Sequence, residues 1–122
     1  MSIDLHVELG AASLVPDAAL ALYRGAQEGV TNALRHGHAS HVGVELRRDR
    51  DAAVLTVTDD GDGLPAVAPP AGHHGLRWLA ERAEGLGGSF RIAGREPRGV
   101  KLQVRLPLPV AAPVATAEAS TA

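Results

Sequence analysis

Asp59-Asp60-Gly61-Asp62-Gly63 is the stretch of this sequence that decides most about how it folds and what it binds. It follows Ala53–Thr58 directly, a run that predicts a β-strand. A carboxylate at the end of a strand, followed by alternating glycines, allows a ligand to approach the backbone closely. Asp59 is therefore predicted to accept a hydrogen bond from an exocyclic amino group such as that of adenine.

Two other interpretations of residues 59–63, here called the acidic loop, are open from the residues alone. A plain acidic turn has the same composition, and such turns are common. A calcium site would use the oxygens of Asp59, Asp60 and Asp62. A calcium loop of the helix–loop–helix kind also needs a distal bidentate Glu and a longer series of ligands, and neither is present.

The segments around the acidic loop predict alternating strands and helices. Upstream, the patterns predict a half-buried strand at Ile3–Leu9, a helix at Asp17–Arg35, and a strand at His41–Arg48 that forms a hairpin with Ala53–Thr58. Downstream, they predict a surface loop at Leu64–Gly72, a helix at Gly75–Leu86, and strands at Ser89–Ala93 and Val100–Leu106. This order predicts an α+β fold, a two-layer sandwich whose mixed sheet is covered by helices on one face.

The first predicted helix has an apolar side and a polar side. Its larger residues recur at helical spacing and are predicted to face the core: Leu20, Tyr23, Gln27, Val30 and Leu34. On the neighbouring side Glu28 and Asn32 lie one turn apart, and Arg35 and His36 follow. Side-chain oxygens of Glu and Asn suit Mg²⁺, and an arginine offsets phosphate charge. An ordinary solvated helix face is the alternative for these polar residues.

The second predicted helix begins at Gly72-His73-His74-Gly75-Leu76, where glycines flank the first turn. Free backbone N–H groups at a helix N-terminus form a site for phosphate. A flexible loop that runs into the helix is the alternative. A zinc site at His73 and His74 is not favoured, because adjacent side chains diverge and no Cys or further His lies at ligand spacing.

The composition narrows the classes of protein that remain. The chain has 122 residues, no cysteine and a net charge of −2. These values predict one domain without disulfides and disfavour nucleic acid as a partner. No apolar run approaches the ~20 residues of a membrane helix, and no signal peptide is visible. We expect a cytoplasmic domain without membrane contact at residues 1–108 and a disordered tail at 109–122.

Taken in order, these motifs resemble those of a known family, the catalytic ATP-binding domain of sensor histidine kinases. The stretch Leu22–His36 resembles its N box, the acidic loop its G1 box, and Gly72–Leu76 its G2 box. Arg77–Gly88 and the ending Val104–Leu108 resemble the nitrate-sensor-like subfamily. The resemblance covers residues 3–108 and implies the Bergerat-type fold, which is shared with gyrase, heat-shock chaperone and mismatch-repair ATPases.

The resemblance implies a role for each matching residue, with ATP and Mg²⁺ as ligands. Asp59 would recognise the adenine amino group, and Gly61 and Gly63 would let the base and ribose approach the backbone. Asn32 and Glu28 would hold Mg²⁺, and Glu28 would position the ion or activate the attacking group. The phosphates would lie against the rest of the set: Arg35, His36, His73, His74, Gly75 and Leu76.

Two departures from the family pattern change what the resemblance implies. The family commonly has a Gly-Thr pair before the last strand, and this sequence has Gly99-Val100. A water-mediated contact to adenine through the hydroxyl is expected to be lost, which weakens binding without abolishing it. None of the six histidines stands in a helical hairpin before an acidic residue, where these kinases carry the phosphoacceptor. We therefore expect a monomer that binds ATP without phosphorylating itself.

The implied activity is phosphoryl transfer to a histidine on a dimerisation domain absent from this sequence, with a response regulator as an indirect partner. Two alternatives remain open. One is a stand-alone serine kinase of the anti-sigma-factor type, which acts on a partner protein. The other is a non-enzymatic interaction domain with a decayed pocket. Val100 favours the latter, whereas the intact Glu28, Asn32 and Asp59 count against it.

Overall fold

A computed structural model describes residues 2–10, 14–35, 38–63 and 74–108, with the side chain of His74 excepted. These residues form five strands and two helices: β1 (Ser2–Glu8), α1 (Pro16–Arg35), β2 (His41–Asp49), β3 (Ala52–Asp59), α2 (His74–Gly85), β4 (Ser89–Gly94) and β5 (Val100–Pro107). The strands lie in one sheet in the order β1-β2-β3-β5-β4. Because β1 pairs with β2 in parallel and the other pairs are antiparallel, the sheet is mixed.

Both helices cover one face of this sheet, so the predicted two-layer α+β fold is confirmed. The residues of β3 and β5 that point to the helices are almost fully buried: Ala53, Leu55, Val57, Leu102, Val104 and Leu106. Residues that alternate with them, such as Thr56 and Gln103, lie on the other face. Helix α2 contributes Leu79 and Ala83 to the core.

Some predictions fall on parts of the chain for which no structure is described. The surface loop predicted at Leu64–Gly72 and the tail predicted at 109–122 both lie outside the described residues. The two hairpins, β2–β3 and β4–β5, lie where the sequence predicts them. Neither α1 nor α2 is long and apolar enough to cross a membrane.

Helix α1 buries a different side from the one predicted. Leu20, Tyr23 and Leu34 are 46%, 64% and 55% exposed, and Gln27 is exposed as well. Of the predicted core-facing set, Val30 alone packs against the core. The buried side consists instead of small residues and one leucine: Ala18, Ala21, Leu22, Gly25, Gly29 and Ala33.

The short distance between α1 and β3 explains this difference. A Cβ atom on Gly25 would lie 2.7 Å from Leu55 Cδ2, and one on Gly29 would lie 2.6 Å from Val57 Cγ1. A helix this close to a sheet has no room for large side chains at the contact, because protein interiors are close-packed. The larger residues of α1 therefore lie on its flank, although their periodicity is that of a core-facing set.

Strand β1 is present as predicted, but it is exposed along its whole length. Ile3, Leu5 and Val7 are 50%, 70% and 56% exposed. Their partners in β2 are Val42, Val44 and Leu46, so these side chains lie on the helix-covered face of the sheet. Among the described elements, however, β1 contacts β2 alone. The predicted half-burial is wrong because burial needs a covering layer as well as an apolar face.

The layers bring the predicted functional residues to one end of the domain. Asp59 is the last residue of β3. Gly25 lies against Leu55, and Gly29, one turn later in α1, lies against Val57, two residues later in β3. Helix α1 and strand β3 therefore run in the same direction. With rises of about 1.5 Å per residue in a helix and about 3.3 Å in a strand, Asn32 reaches the same end as Asp59.

Candidate functional site

Asp59 is the one charged side chain that is buried among the described residues, with 5% of its surface exposed. Its Oδ1 accepts a hydrogen bond from the Gly61 N–H at 2.9 Å. No residue of the described ranges donates to its Oδ2. A buried carboxylate oxygen without a donor costs free energy, and a ligand that donates to it removes that cost. Asp59 is therefore suited to recognise an amino group on a bound molecule.

Asp60, the next residue, has a structural role instead. Its Oδ1 accepts from the backbone N–H groups of Ser40 and His41 at 2.9 and 3.0 Å. Its Oδ2 accepts from the Ser40 hydroxyl at 2.7 Å. The hydroxyl, together with the two N–H groups, lowers the pKa of Asp60 to about 2 because these donors stabilise the ionised form. Asp60 thus ties the acidic loop to the start of β2.

The other side of the acidic loop lies against the end of the turn between β4 and β5. Gly99 has a φ of +104°, and a Cβ atom there would overlap the carbonyl group of Asp59. Glycine alone tolerates both this conformation and this approach. Val100, where the resemblance implies a threonine, follows directly and is 9% exposed. Position 100 therefore lies beside the acidic loop, and the loss of a hydroxyl contact there stays a prediction.

The structure brings Glu28 of α1 against the first turn of α2. A Cβ atom on Gly75 would overlap the Glu28 carboxylate, so the glycine allows this carboxylate to reach the backbone of α2. Arg24, Glu28, Gly75 and Trp78 line a cavity of about 230 Å³ at this point. Two motifs that are far apart in the sequence, the polar side of α1 and the glycine-opened helix, therefore form one region.

The oxygen donors on α1 fit a magnesium ion held together with a nucleotide. Asn32 lies one turn after Glu28 and is half-buried, whereas Arg35 is exposed. In the described ranges, no group of three His, Asp or Glu side chains is placed to hold a metal by itself. Mg²⁺ at a nucleotide site needs one or two protein oxygens, because phosphates and waters complete its coordination. Glu28 and Asn32 supply that number.

The structure describes some of the remaining predicted site residues fully and others in part or not at all. His36 and His73 lie outside the described residues, and of His74 the backbone alone is described. Gly61 is buried and Gly63 is half-buried within the acidic loop. Leu76 packs its side chain against the core, which leaves its backbone N–H as the group that a phosphate would meet.

Two features of this region were missed by reasoning from the sequence. The Trp78 ring has Arg24 Cζ 5.8 Å and Arg82 Cζ 5.3 Å from its centroid. The contact between Arg82 and Trp78 follows from i, i+4 spacing on a helix. No local signal in the sequence indicates the contact between Arg24 and Trp78. Arg95 and Arg98, in the turn after β4, donate hydrogen bonds to the acidic loop. That turn is separated from the loop by more than thirty residues, so no sequence spacing points to it.

A broad concavity of about 1020 Å³ lies elsewhere, on the uncovered face of the sheet. Its lining is dominated by charged side chains such as Arg47, Arg48 and Lys101. It includes no residue of the acidic loop or of the Glu28 region, and it contains no buried charged group. We therefore take the end of β3, and not this concavity, as the candidate functional site.

The fold and these motifs define a nucleotide-binding domain of the ATPase type, and the family comparison agrees. The family described as histidine kinase-, DNA gyrase B- and HSP90-like ATPase matches residues 17–110. The chain belongs to this family. The motifs of the sequence therefore identified the family correctly, and the domain is of the ATP-binding, catalytic type that sensor histidine kinases contain.

Two curated relatives and one solved structure indicate which members of this family the chain resembles. Sensor histidine kinase YxjM of Bacillus subtilis is 36% identical over 109 residues, which are 85% of this chain and 26% of that protein. Nitrate/nitrite sensor protein NarX of Escherichia coli K12 is 37% identical over 92 residues, 75% of this chain and 15% of that protein. The histidine kinase domain of the Erythrobacter litoralis EL346 blue-light activated histidine kinase has a TM-score of 0.64 at 26% identity, covering 87% of this chain and 55% of that one. The chain thus spans about a quarter or less of these curated relatives.

Proposed function

We propose that this chain is the part of a two-component sensor kinase that binds ATP with Mg²⁺ and presents the γ-phosphate to a histidine on another domain. The observation that carries the proposal is Asp59, which is buried at the end of β3 with one oxygen paired to Gly61 and the other without a described donor. The exocyclic amino group of adenine is such a donor. Membership of the ATPase family and the sensor-kinase relatives support the same function.

The phosphates are proposed to lie between α1 and the first turn of α2. The first N–H groups of a helix have no intrahelical acceptor and attract anions. Glu28 lies at this point, and Glu28 and Asn32 would hold Mg²⁺, which neutralises charge on the phosphate oxygens. The groups proposed to border the phosphates are Arg35, His36, His73, His74, Gly75 and Leu76.

Little covalent chemistry is needed from the domain itself. Phosphoryl transfer depends mainly on the position and the charge of the reacting groups. As the bond from the γ-phosphorus to the bridging oxygen breaks, a bond to the histidine nitrogen forms and ADP leaves. Glu28 is proposed as the catalytic residue that positions the attacking imidazole or accepts its proton.

The protein around the domain belongs to the same proposal. The chain spans 26% and 15% of the two curated relatives described above, so the dimerisation domain, the response regulator and a cytoplasmic location are inferred from the resemblance. Residues 1–108 are proposed as a monomeric domain that does not phosphorylate itself. Val100 counts towards a decayed interaction domain, but the intact Glu28, Asn32 and Asp59 outweigh it. No observation favours the serine kinase.

Titration calorimetry of ADP and ATP with Mg²⁺ tests the proposal. Asp59→Asn keeps an oxygen for Gly61 but places an NH₂ group opposite the adenine amino group. We expect the affinity to fall by about 10- to 100-fold, because a hydrogen bond to a charged group contributes about 1.5–3 kcal/mol. The free energy of unfolding, measured by urea denaturation, should change far less than the free energy of nucleotide binding.

The control for this experiment is Asp49→Asn, at the opposite end of β2 from the site, which should bind as the wild type does. Equal affinity of Asp59→Asn and wild type would overturn the adenine assignment. A wild-type chain that binds no nucleotide at millimolar concentration would overturn the proposed function as a whole.

A further inference from the structure

The turn between β4 and β5, residues 95–99, holds the acidic loop by two arginines. Arg95 Nη1 donates to the Asp59 carbonyl oxygen at 2.7 Å. Arg98 Nε donates to the Gly61 carbonyl oxygen at 2.9 Å, and its Nη2 donates to Asp62 Oδ1 at 3.0 Å. The turn is closed by its own backbone, since the Arg95 N–H donates to the Gly99 carbonyl oxygen at 3.0 Å. Two guanidinium groups are thus presented to the loop from a formed turn.

These contacts hold Gly61, the residue whose N–H orients the Asp59 carboxylate. The Gly61 N–H donates to Asp59 Oδ1, while the Gly61 carbonyl accepts from Arg98. A glycine by itself has wide freedom in both backbone angles. Because Arg98 holds Gly61 at its C=O, the N–H that Gly61 donates to Asp59 Oδ1 is held in place as well. The Asp59 carboxylate is therefore oriented, with Oδ2 left without a described donor.

The acidic loop is held from a second direction through Asp62. His38, in the connection between α1 and β2, places Nδ1 2.8 Å from Asp62 Oδ2, while Arg98 binds the other oxygen of the same carboxylate. Asp62 therefore links the connection after α1 to the turn after β4. The two links converge on the loop that ends β3.

We propose that Arg95 and Arg98 are positioning residues of the nucleotide site, which hold the acidic loop so that Asp59 keeps one oxygen for the adenine amino group. The inference rests on the proposed function, because it assigns the loop to adenine. Neither arginine needs to touch the nucleotide. Their effect on binding passes through Gly61 and Asp59.

The exposure of Arg98 separates this role from a general contribution to stability. The Arg98 and Asp62 side chains are 58% and 55% exposed, and exposed ion pairs contribute little to folding. The hydrogen bonds to the carbonyl groups of Asp59 and Gly61 are partly buried. Loss of Arg98 should therefore disturb the loop, and with it nucleotide affinity, more than it disturbs the fold.

The test compares Arg98→Ala with Arg105→Ala. Arg105 Nη1 binds Asp49 Oδ2 at 2.7 Å, and the two side chains are 43% and 57% exposed. It is an ion pair of the same kind at the other end of the sheet. ADP and GDP affinities are measured by calorimetry with Mg²⁺, and stability is measured by urea unfolding. Arg98→Lys and Arg95→Ala complete the set.

We expect Arg98→Ala to weaken ADP binding by about 5- to 10-fold, the equivalent of about one neutral hydrogen bond. Its preference for ADP over GDP should fall, because a displaced Asp59 discriminates less between the bases. Arg98→Lys should recover part of the affinity, since a lysine donates to one of the two acceptors but lacks the fixed fork of arginine. Arg105→Ala should keep both the wild-type affinity and the wild-type preference.

The outcomes are distinguishable from failure of the proposed function. If the wild type binds no ADP, the proposed function fails and this inference fails with it. If the wild type binds and Arg98→Ala binds equally well, the inference alone is overturned, and an equal loss in Arg98→Ala and Arg105→Ala overturns it too. Should Arg98→Ala not fold, Arg98→Lys and Arg95→Ala decide: unchanged ADP affinity and base preference in both refute the positioning role.

Discussion

β1 and β3 have similar alternating patterns of apolar residues, but those of β3 are buried and those of β1 are exposed. Ala53, Leu55 and Val57 of β3 are at most 2% exposed, whereas the apolar residues of β1 are at least 50% exposed. Both sets lie on the helix-covered face of the same sheet. The difference is position, because β3 lies between β2 and β5 beneath α1, and β1 lies at the edge beyond it. Alternation thus marks which face is apolar, and the extent of the helix layer decides whether that face is buried.

The two strands also differ at their ends. β3 ends in a loop bound by Ser40, Arg95 and Arg98 from neighbouring parts of the chain. β1 ends near Gly10, where a Cβ atom would have no described atom within 4 Å. Burial and hydrogen bonding are concentrated at the end of β3, which is where a binding site needs fixed side chains.

The largest expected difference is between leucines on the two strands. Leu55→Ala removes a side chain that is 2% exposed and packed beneath Gly25, and we expect a loss of about 2–5 kcal/mol in the free energy of unfolding. Leu5→Ala, at 70% exposure, should cost less than about 1 kcal/mol. Urea unfolding of both variants measures the difference, and similar losses in the two would show that β1 is covered in solution.

The second comparison concerns two glycines with positive φ, Gly10 just after β1 and Gly99 against the end of β3. Gly99→Ala places a methyl group on the Asp59 carbonyl at φ +104° and should cost about 1–3 kcal/mol or more. It should also weaken ADP binding, because the acidic loop has to move. Gly10→Ala, at φ +64° in open surroundings, carries the conformational cost of about 1–2 kcal/mol alone and should leave binding unchanged. Wild-type ADP affinity in Gly99→Ala would contradict the close contact.

A smaller and pH-dependent effect is expected at Asp60. Its pKa is lowered to about 2 by the Ser40 hydroxyl and the N–H groups of Ser40 and His41, against about 3.9 in an unfolded chain. A depressed folded pKa gives stability that is present above pH 4 and is lost as the pH falls towards 2. Asp60→Asn should therefore lower the urea midpoint at pH 7, and its difference from wild type should shrink below pH 4.

The β1 counterpart of Asp60 is Asp4, which lies 3.1 Å from His41 with its side chain 77% exposed. An exposed pair of this kind contributes little, so Asp4→Asn should have nearly the wild-type midpoint at both pH values. A pH-independent loss in Asp60→Asn would mean that its hydrogen bonds do not depend on the charge.

The sequence predicts most of what depends on neighbours along the chain. Glu28 and Asn32 share a side of α1 because of helical spacing, and Asp59 ends the β3 strand pattern, so these candidates need no tertiary information. The buried side of α1 was mispredicted, because the small size of Gly25 and Gly29 matters through the distance to β3. Arg98 was missed for a similar reason, since it meets Gly61 across 37 residues. What escapes the sequence is therefore contact between layers and between loops.

The smallest expected effect concerns the residue that departs from the family pattern. Val100→Thr restores a hydroxyl at the start of β5, beside the acidic loop, and Val7→Thr makes the same change on β1, where the residue is 56% exposed. If the hydroxyl meets a water that binds adenine, it adds about 1 kcal/mol, and ADP should bind about 5-fold more tightly. Val7→Thr should not change the affinity. Calorimetry on both variants separates a specific contact at position 100 from a general effect of threonine. Unchanged binding in Val100→Thr would show that position 100 does not limit affinity.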